Sequence, residues 1–153
     1  MIRFSKLADY AVVILSAMAQ ENERMSASGL SQKSGLPEPT VAKVLKLLVK
    51  HNIVSSTRGV QGGYLIGQSA SAINIADIVT AVDGPVALTA CVEGSEESCC
   101  YAHNCSVKGR WDQVNGAVQK ALEGITLADM IGAPYLSCHQ NNHNKINKEE
   151  VRA

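Results

Sequence analysis

Apolar residues recur every three or four positions along most of this chain, which is the spacing of one face of an α-helix. Runs of this kind cover residues 5–20, 26–33 and 37–52. Ser5 and Ser26 stand at the first two starts, and serine is a residue type that caps helix N-termini. The third run is predicted to bury Val41, Val44, Leu45 and Leu48. The first third of the chain is therefore predicted to form three helices.

Two short runs rich in β-forming residues follow, at residues 53–58 and 64–66. They flank the glycine-rich sequence GVQGG at residues 59–63, and two such runs around a turn predict a β-hairpin. Helix, short helix, turn, basic helix and hairpin is the element order of a winged helix-turn-helix. The hairpin would be the wing of that fold.

A longer helix is predicted over residues 108–124, after a loop that ends near residue 106. Its apolar positions form a narrow stripe, which favours pairing with another helix. The stripe consists of Trp111, Val114, Val118, Ala121 and Ile125. This helix is therefore a candidate for the contact between two copies of the chain.

Two seven-residue segments, 73–79 and 125–131, resemble each other in sequence. Each has a helix-capping residue at its second position, Asn74 in one and Thr126 in the other, followed by a short apolar helix. Shared capping chemistry explains this similarity better than a repeated domain does.

The predicted fold class is mainly α, with a winged helix-turn-helix, a small β-hairpin wing and a long C-terminal dimerisation helix. We expect a DNA-binding domain over residues 1–84, a cysteine-bearing loop over 85–106, and the dimerisation helix with a short terminal helix over 107–132. Residues 133–153 are rich in Asn, Lys and Glu, and we expect a disordered tail there.

Charge is unevenly distributed along a chain whose formal net charge is zero. Residues 24–61 carry six basic side chains against one acidic side chain, Glu38, and so have a net charge of +5. Such a basic segment around a helix and a glycine-rich turn indicates DNA binding, although lysines at helical spacing also occur on any solvated face. The residues predicted to contact DNA are Ser28, Thr40, Lys43, Lys46, Arg58, Gln61 and Gly62.

Four of the five cysteines lie in one short acidic loop, and three of them, Cys91, Cys99 and Cys105, are the candidate ligands. Thiolates are soft ligands that suit iron–sulfur clusters and zinc. The spacing leaves open a cluster, a zinc site, or a thiol switch that uses no metal. We expect a cytoplasmic protein without a membrane segment or signal peptide, since the apolar run at residues 11–19 is too short to span a bilayer.

The sequences RFSKLADYA (residues 3–11) and RGVQGGY (residues 58–64), together with these cysteines, resemble the IscR/NsrR family of bacterial winged-helix regulators over residues 1–132. The resemblance implies a homodimer joined through the long helix, operator DNA as partner, and DNA binding governed by an iron–sulfur cluster. Within the family the chain is most similar to regulators of the SUF iron–sulfur assembly operon, and that similarity implies the target genes.

The resemblance also implies the cluster ligands, which would be Cys91, Cys99 and Cys105, with [2Fe–2S] favoured over [4Fe–4S]. The family places five residues between successive cysteines. Here five residues separate Cys99 from Cys105, but seven separate Cys91 from Cys99. Cys100 is therefore an alternative to Cys99.

The fourth ligand is open. IscR-like members have a histidine shortly after the third cysteine, and Lys108 stands in that place. Asp9 matches the aspartate with which NsrR-like members ligate the cluster of the partner subunit. His103 is the local competitor.

No motif of an enzyme is recognisable: the chain has no Cys-x-x-Cys and no phosphate-binding loop followed by a helix. The sequence therefore predicts a transcription factor, repressor or activator, that senses cluster status or redox state. Two alternatives remain, namely a zinc-stabilised or thiol-switch winged-helix regulator, and an interaction module that does not bind DNA.

Overall fold

The computed structural model describes residues 3–95, 98–100 and 104–132, and the predicted disordered tail lies outside them. The elements in order are α1 (Lys6–Glu21), α2 (Ala27–Ser34), α3 (Glu38–Lys50), β1 (Val54–Thr57), β2 (Gly63–Ile66), α4 (Ile75–Asp83), α5 (Trp111–Glu123) and α6 (Leu127–Gly132). This mainly helical arrangement with one antiparallel hairpin confirms the winged helix-turn-helix.

Three predicted helix caps are confirmed. The Ser5 hydroxyl accepts hydrogen bonds from the backbone N–H groups of Leu7 and Ala8 at the start of α1. Ser26 caps α2 and Asn74 caps α4 in the same manner. Each cap satisfies backbone donors that a helix N-terminus leaves unpaired.

The long helix starts three residues later than the sequence predicts, at Trp111 instead of Lys108. Gly109 has a φ of 73°, in the left-handed region that an α-helix cannot accommodate. The residues from Cys105 to Arg110 form turns instead, with backbone hydrogen bonds from Lys108 N–H to Cys105 O and from Arg110 N–H to Val107 O.

The hydrophobic core is aliphatic and joins α1, α3 and α4 to the ends of the hairpin. As predicted, the four apolar residues on the inner face of α3 are completely buried. Leu127 of α6 is also completely buried, so the last helix returns to this core after α5. The largest fully buried side chains are Ile14, Leu15, Met18, Leu30, Leu45, Leu48, Ile73, Ile78 and Leu127.

The wing is attached to the segment that leads into α2. β1 and β2 pair in the register Val54↔Ile66 to Thr57↔Gly63, and Tyr64 forms a further antiparallel bridge with Met25. Arg24 adds a side-chain hydrogen bond from its guanidinium to the Thr57 hydroxyl. The wing is therefore held by backbone and side-chain bonds on both of its strands.

The two similar segments found in the sequence pair with each other. Ile75 N–H donates to Ile125 O at 2.9 Å and Leu127 N–H donates to Ile73 O at 2.8 Å, so the bridge is locally two-fold symmetric. Asp129 accepts from the hydroxyl and the backbone N–H of Thr126, and these bonds lower the pKa of its carboxyl. Capping and pairing together explain the similarity of the two segments.

Candidate nucleic-acid interface and cysteine loop

The basic residues of α3 lie opposite its buried face. Lys43, Lys46 and Lys50 are exposed, while Thr40 in the first turn is half-buried. Within the described residues none of these three lysines forms an ion pair, whereas Lys33 of α2 pairs with Glu21. The α3 lysines are thus available to phosphate oxygens.

The wing carries the remaining predicted DNA-binding residues. Arg58 and Gln61 are exposed, and so is Ser28 on α2. Gly62 is half-buried, and its amide closes the turn by donating to Gly59 O at 2.9 Å. A Cβ at position 62 would lie 2.3 Å from Thr57 O, so the turn itself requires glycine there, whether or not DNA approaches it.

The start of the cysteine loop is tied to the first helix. Asp83, the last residue of α4, accepts hydrogen bonds from the backbone N–H and the hydroxyl of Ser5. Gly84 follows with a φ of 88° and turns the chain away from α4. The N-terminus of α1 and the beginning of the loop are therefore fixed next to each other.

Two side chains of α5 hold the first part of the loop. The Asn115 amide donates to Val86 O at 2.8 Å and accepts from Leu88 N–H at 3.0 Å. One turn earlier on the helix, the Asp112 carboxylate accepts from Glu93 N–H at 2.9 Å. Cys91 lies between these two attachments.

The described cysteines are all free thiols. Cys91, Cys99 and Cys105 are half-buried, whereas Cys100 is exposed. The Cys91 sulfur lies 3.3 Å from the Thr89 hydroxyl oxygen, within hydrogen-bond range for sulfur. In the part of the chain that the structure describes, these four thiols are the cysteine ligands available to a metal ion or cluster.

Within the described residues, no three histidine, cysteine, aspartate or glutamate side chains lie close enough together to hold one metal ion. Cys91, Cys99, Cys105 and the exposed Asp9 are consequently not gathered into one ligand set within this chain. The donor chemistry nevertheless fits an iron–sulfur cluster, because free thiols on a segment whose described residues form neither helix nor strand can converge without breaking either. His103 lies outside the described residues.

An apolar surface extends along α5 and beyond its ends. Trp111 is 41% exposed and Val114 is 46% exposed, which is high for large apolar residues. Together with Phe4, Val79 and Val118 they line a cleft of about 450 Å³ between α4, the start of the cysteine loop and α5. This surface contains the stripe that the sequence assigns to dimerisation.

Two residues, one on α5 and one on the wing, were not predicted from the sequence. Asn115 lies beside the apolar stripe of α5 and could not be distinguished from a solvated polar residue. Val60 at the tip of the wing is fully exposed, and the only sequence signal is an apolar residue following Gly59 in a turn.

Among the described helices, none is long and apolar enough to cross a membrane.

Comparison with known proteins gives one family. The family model Rrf2, described as "Iron-dependent Transcriptional regulator", matches residues 4–133. The chain is 29% identical over 132 residues to the HTH-type transcriptional regulator IscR of Yersinia pseudotuberculosis serotype O:1b (strain IP 31758). The matched residues cover 85% of this chain and 79% of that IscR.

Two solved structures are similar along most of the chain. The structure of T. potens IscR matches with a TM-score of 0.62 at 26% identity, covering 86% of this chain and 87% of that one. The structure of CymR (YrzC), the global cysteine regulator of B. subtilis, matches with a TM-score of 0.64 at 25% identity, covering 86% of this chain and 98% of that one.

Proposed function

The chain belongs to the Rrf2 family of transcriptional regulators, and from this premise we propose that it is a homodimeric sensor whose operator affinity depends on an iron–sulfur cluster held by Cys91, Cys99 and Cys105. It is a DNA-binding regulator of the IscR/CymR type. The observation that carries the cluster proposal is a set of three half-buried free thiols on a loop attached to α5.

The proposed ligand set has three thiolates from one chain and a fourth ligand, Asp9 of the partner subunit or His103. When bound, an iron–sulfur cluster supplies a centre whose integrity responds to iron, oxygen and redox state. Asp9 is exposed on the first turn of α1, where the helix dipole stabilises its negative charge. Exposure also leaves this carboxylate accessible to a second subunit.

The proposed regulation is a population shift of the loop. The segment that carries Cys91 is bonded to α5 through Asn115, and it follows Asp83 of α4, which accepts hydrogen bonds from Ser5 at the start of α1. α5 carries the proposed dimer contact, so an ordered loop would favour one spacing between the two DNA-binding domains. Operator half-sites select for such a spacing. We propose that the regulated genes are those of iron–sulfur cluster assembly, in keeping with the resemblance to SUF regulators.

We propose that α3 enters the major groove, with Ser28, Thr40 and Lys43 near the bases and Lys46 at the phosphates, while Arg58 and Gln61 reach the minor groove. Helix-turn-helix proteins read bases through the N-terminal part of the recognition helix. Narrow minor grooves attract the arginine guanidinium. The exposed, unpaired lysines of α3 support this assignment.

The cluster proposal is tested by anaerobic purification, followed by a visible absorption spectrum and by analysis of iron, zinc and acid-labile sulfide. We expect a brown protein that contains iron and sulfide and whose operator affinity changes when the cluster is removed. A colourless protein with stoichiometric zinc, which reconstitution with iron and sulfide leaves colourless, would establish a zinc site instead.

A second function has support of its own. Within the described residues no three metal-ligating side chains lie close enough together for one metal ion, and the described cysteines are free thiols. A metal-free thiol switch would show operator affinity that responds to thiol oxidation while iron, sulfide and zinc are all absent. The same purification therefore separates the two functions.

The DNA-contact proposal predicts different effects for two basic residues. Arg58→Ala is expected to cost about 1–3 kcal/mol of operator binding, because a base or minor-groove contact is lost. Lys46→Ala is expected to weaken binding to all sequences alike and to lower the slope of log affinity against log salt by about 1. Fluorescence anisotropy with operator and scrambled DNA at several salt concentrations measures both effects.

Operator affinity unchanged in Arg58→Ala would remove Arg58 from the specific contacts. Lys120→Ala is the matched control. Lys120 is an exposed residue of α5, far along the chain from the predicted DNA contacts, and its replacement should leave both the affinity and the salt slope unchanged. Absence of salt-dependent DNA binding in the unmodified protein would favour the interaction-module alternative.

A further inference from the structure

Asn115 stands out because it is the one polar residue that is buried in the part of the chain that the structure describes. It is 6% exposed and lies in the interior of α5. Both ends of its side-chain amide are used: the nitrogen donates to Val86 O and the oxygen accepts from Leu88 N–H. These partners are 29 and 27 residues away in sequence.

The two bonds reproduce the pairing of a β-strand. In extended chain, the carbonyl of one residue and the N–H of the residue two positions later point to the same side, and a neighbouring parallel strand bonds to both. Asn115 takes the place of that strand for Val86 and Leu88. A single side chain thereby fixes both the position and the direction of this segment on α5.

Burial makes this contact selective. An apolar residue at position 115 would leave the partly buried Val86 carbonyl and Leu88 N–H without their partner, which weakens the attachment of the loop to α5. A sliding of the loop by one residue along α5 would have the same consequence. Buried polar residues that select one register in this way are known from helix pairs.

The two hydrogen bonds of Asn115 lie close to the first cysteine. Cys91 follows Leu88 by three residues and precedes Glu93, whose N–H is held by Asp112 on the same helix. Val92, next to Cys91, is 5% exposed. Cys91 therefore stands on a stretch attached to α5 on both sides, whereas Cys100 is exposed.

We propose that Asn115 is a positioning residue that sets the place of Cys91 relative to α5 and so couples the cysteine loop to this helix. It touches no proposed DNA contact and is not a proposed metal ligand. The positioning role concerns the thiol loop itself, and its extension to cluster retention rests on the proposed function.

The first test uses the reduced, metal-free protein and compares Asn115→Ala and Asn115→Asp with the unmodified chain. Hydrogen–deuterium exchange is followed over residues 86–92, and alkylation by iodoacetamide is followed at Cys91 and at Cys100. With both bonds lost in Asn115→Ala, we expect about tenfold faster exchange and faster alkylation of Cys91, with Cys100 unchanged. Asn115→Asp keeps an acceptor for Leu88 N–H but turns a second oxygen toward the Val86 carbonyl, so it should also raise both rates.

Gln119→Ala is the matched control. Gln119 lies one turn further along α5, is exposed, and bonds within the helix to Glu123. It should leave both rates unchanged. Circular dichroism establishes that each variant is folded, and if Asn115→Ala is not, Asn115→Asp decides the test. Unchanged exchange and unchanged Cys91 alkylation in a folded variant would overturn the inference.

The second test uses protein reconstituted anaerobically with iron and sulfide. Asn115→Ala is expected to lose visible absorbance faster in air than Gln119→Ala and to show an altered visible circular dichroism spectrum. If the unmodified chain takes up no cluster, the proposed function fails, while the exchange and alkylation rates still decide the role of Asn115. If it does take one up and both variants retain it equally, the extension to cluster retention fails.

Discussion

Cys99→Ala is expected to abolish the iron–sulfur cluster, whereas Cys100→Ala is expected to leave it in place. Removing one of three thiolates takes away a charged, covalent ligand that exposed polar groups do not replace. Cys99 is half-buried and Cys100 is exposed, so only the first is partly enclosed by the protein. Iron and acid-labile sulfide per chain, measured after anaerobic reconstitution, should fall to background in Cys99→Ala alone.

The adjacent cysteine provides a control of the same residue type in the same loop. Operator affinity of Cys99→Ala should no longer change when iron and sulfide are supplied, while Cys100→Ala should respond as the unmodified protein does. The opposite pattern would move the ligand to Cys100. Equal cluster contents in both variants would mean that either thiol can serve, which the seven-residue spacing from Cys91 permits.

Features that depend on neighbouring residues were predictable from the sequence. Ser5, Ser26 and Asn74 each bond to backbone groups two or three residues away, so capping chemistry alone locates them. The buried face of α3 follows from its 3.6-residue period in the same way. The start of α5 was wrong by three residues because periodicity carries no information on the left-handed conformation of Gly109.

Features that depend on distant residues were not predictable. The partners of Asn115 lie 27 and 29 residues earlier, and no local pattern marks an asparagine whose amide faces a loop and not water. The similarity of residues 73–79 and 125–131 was visible in the sequence, but the hydrogen bonds that join the two segments were not. The described residues of the cysteine loop form no helix or strand, so periodicity could not predict its ligand geometry and only the cysteine spacing could be used.

Two separate reasons account for a glycine at position 62. Gly62 is among the residues that the sequence predicts to contact DNA, and a glycine at the tip of a wing would let the backbone approach the phosphates. The structure provides a separate reason, since a Cβ would lie 2.3 Å from Thr57 O and 2.8 Å from Gly59 O. The internal requirement holds in the absence of DNA, and a substitution can therefore be followed in the free protein.

Gly62→Ala is expected to open the turn of the wing and to weaken operator binding by about 5- to 150-fold. A Cβ cannot lie 2.3 Å from Thr57 O, so the backbone of the turn must shift, and such distortion costs about 1–3 kcal/mol. A difference of about 1.4 kcal/mol corresponds to a tenfold change in affinity. If the turn shifts, the hydrogen bond from Gly62 N–H to Gly59 O breaks, and Arg58 and Gln61 are displaced with the turn. Fluorescence anisotropy gives the affinity, and hydrogen exchange of residues 57–63 in DNA-free protein reports the state of the turn.

Two substitutions separate the wing from general effects of added methyl groups and of lost side chains. Gly132→Ala places a Cβ where no atom of the described residues lies within 4 Å and should leave operator affinity unchanged. Val60→Ala shortens the fully exposed side chain at the tip without straining the backbone, and should leave exchange over residues 57–63 unchanged. Operator affinity in Gly62→Ala equal to that of the unmodified protein, with exchange clearly accelerated, would mean that the wing does not contribute to DNA binding. Because residues 58–62 do not belong to the hydrophobic core, the core helices should remain folded in Gly62→Ala and Val60→Ala.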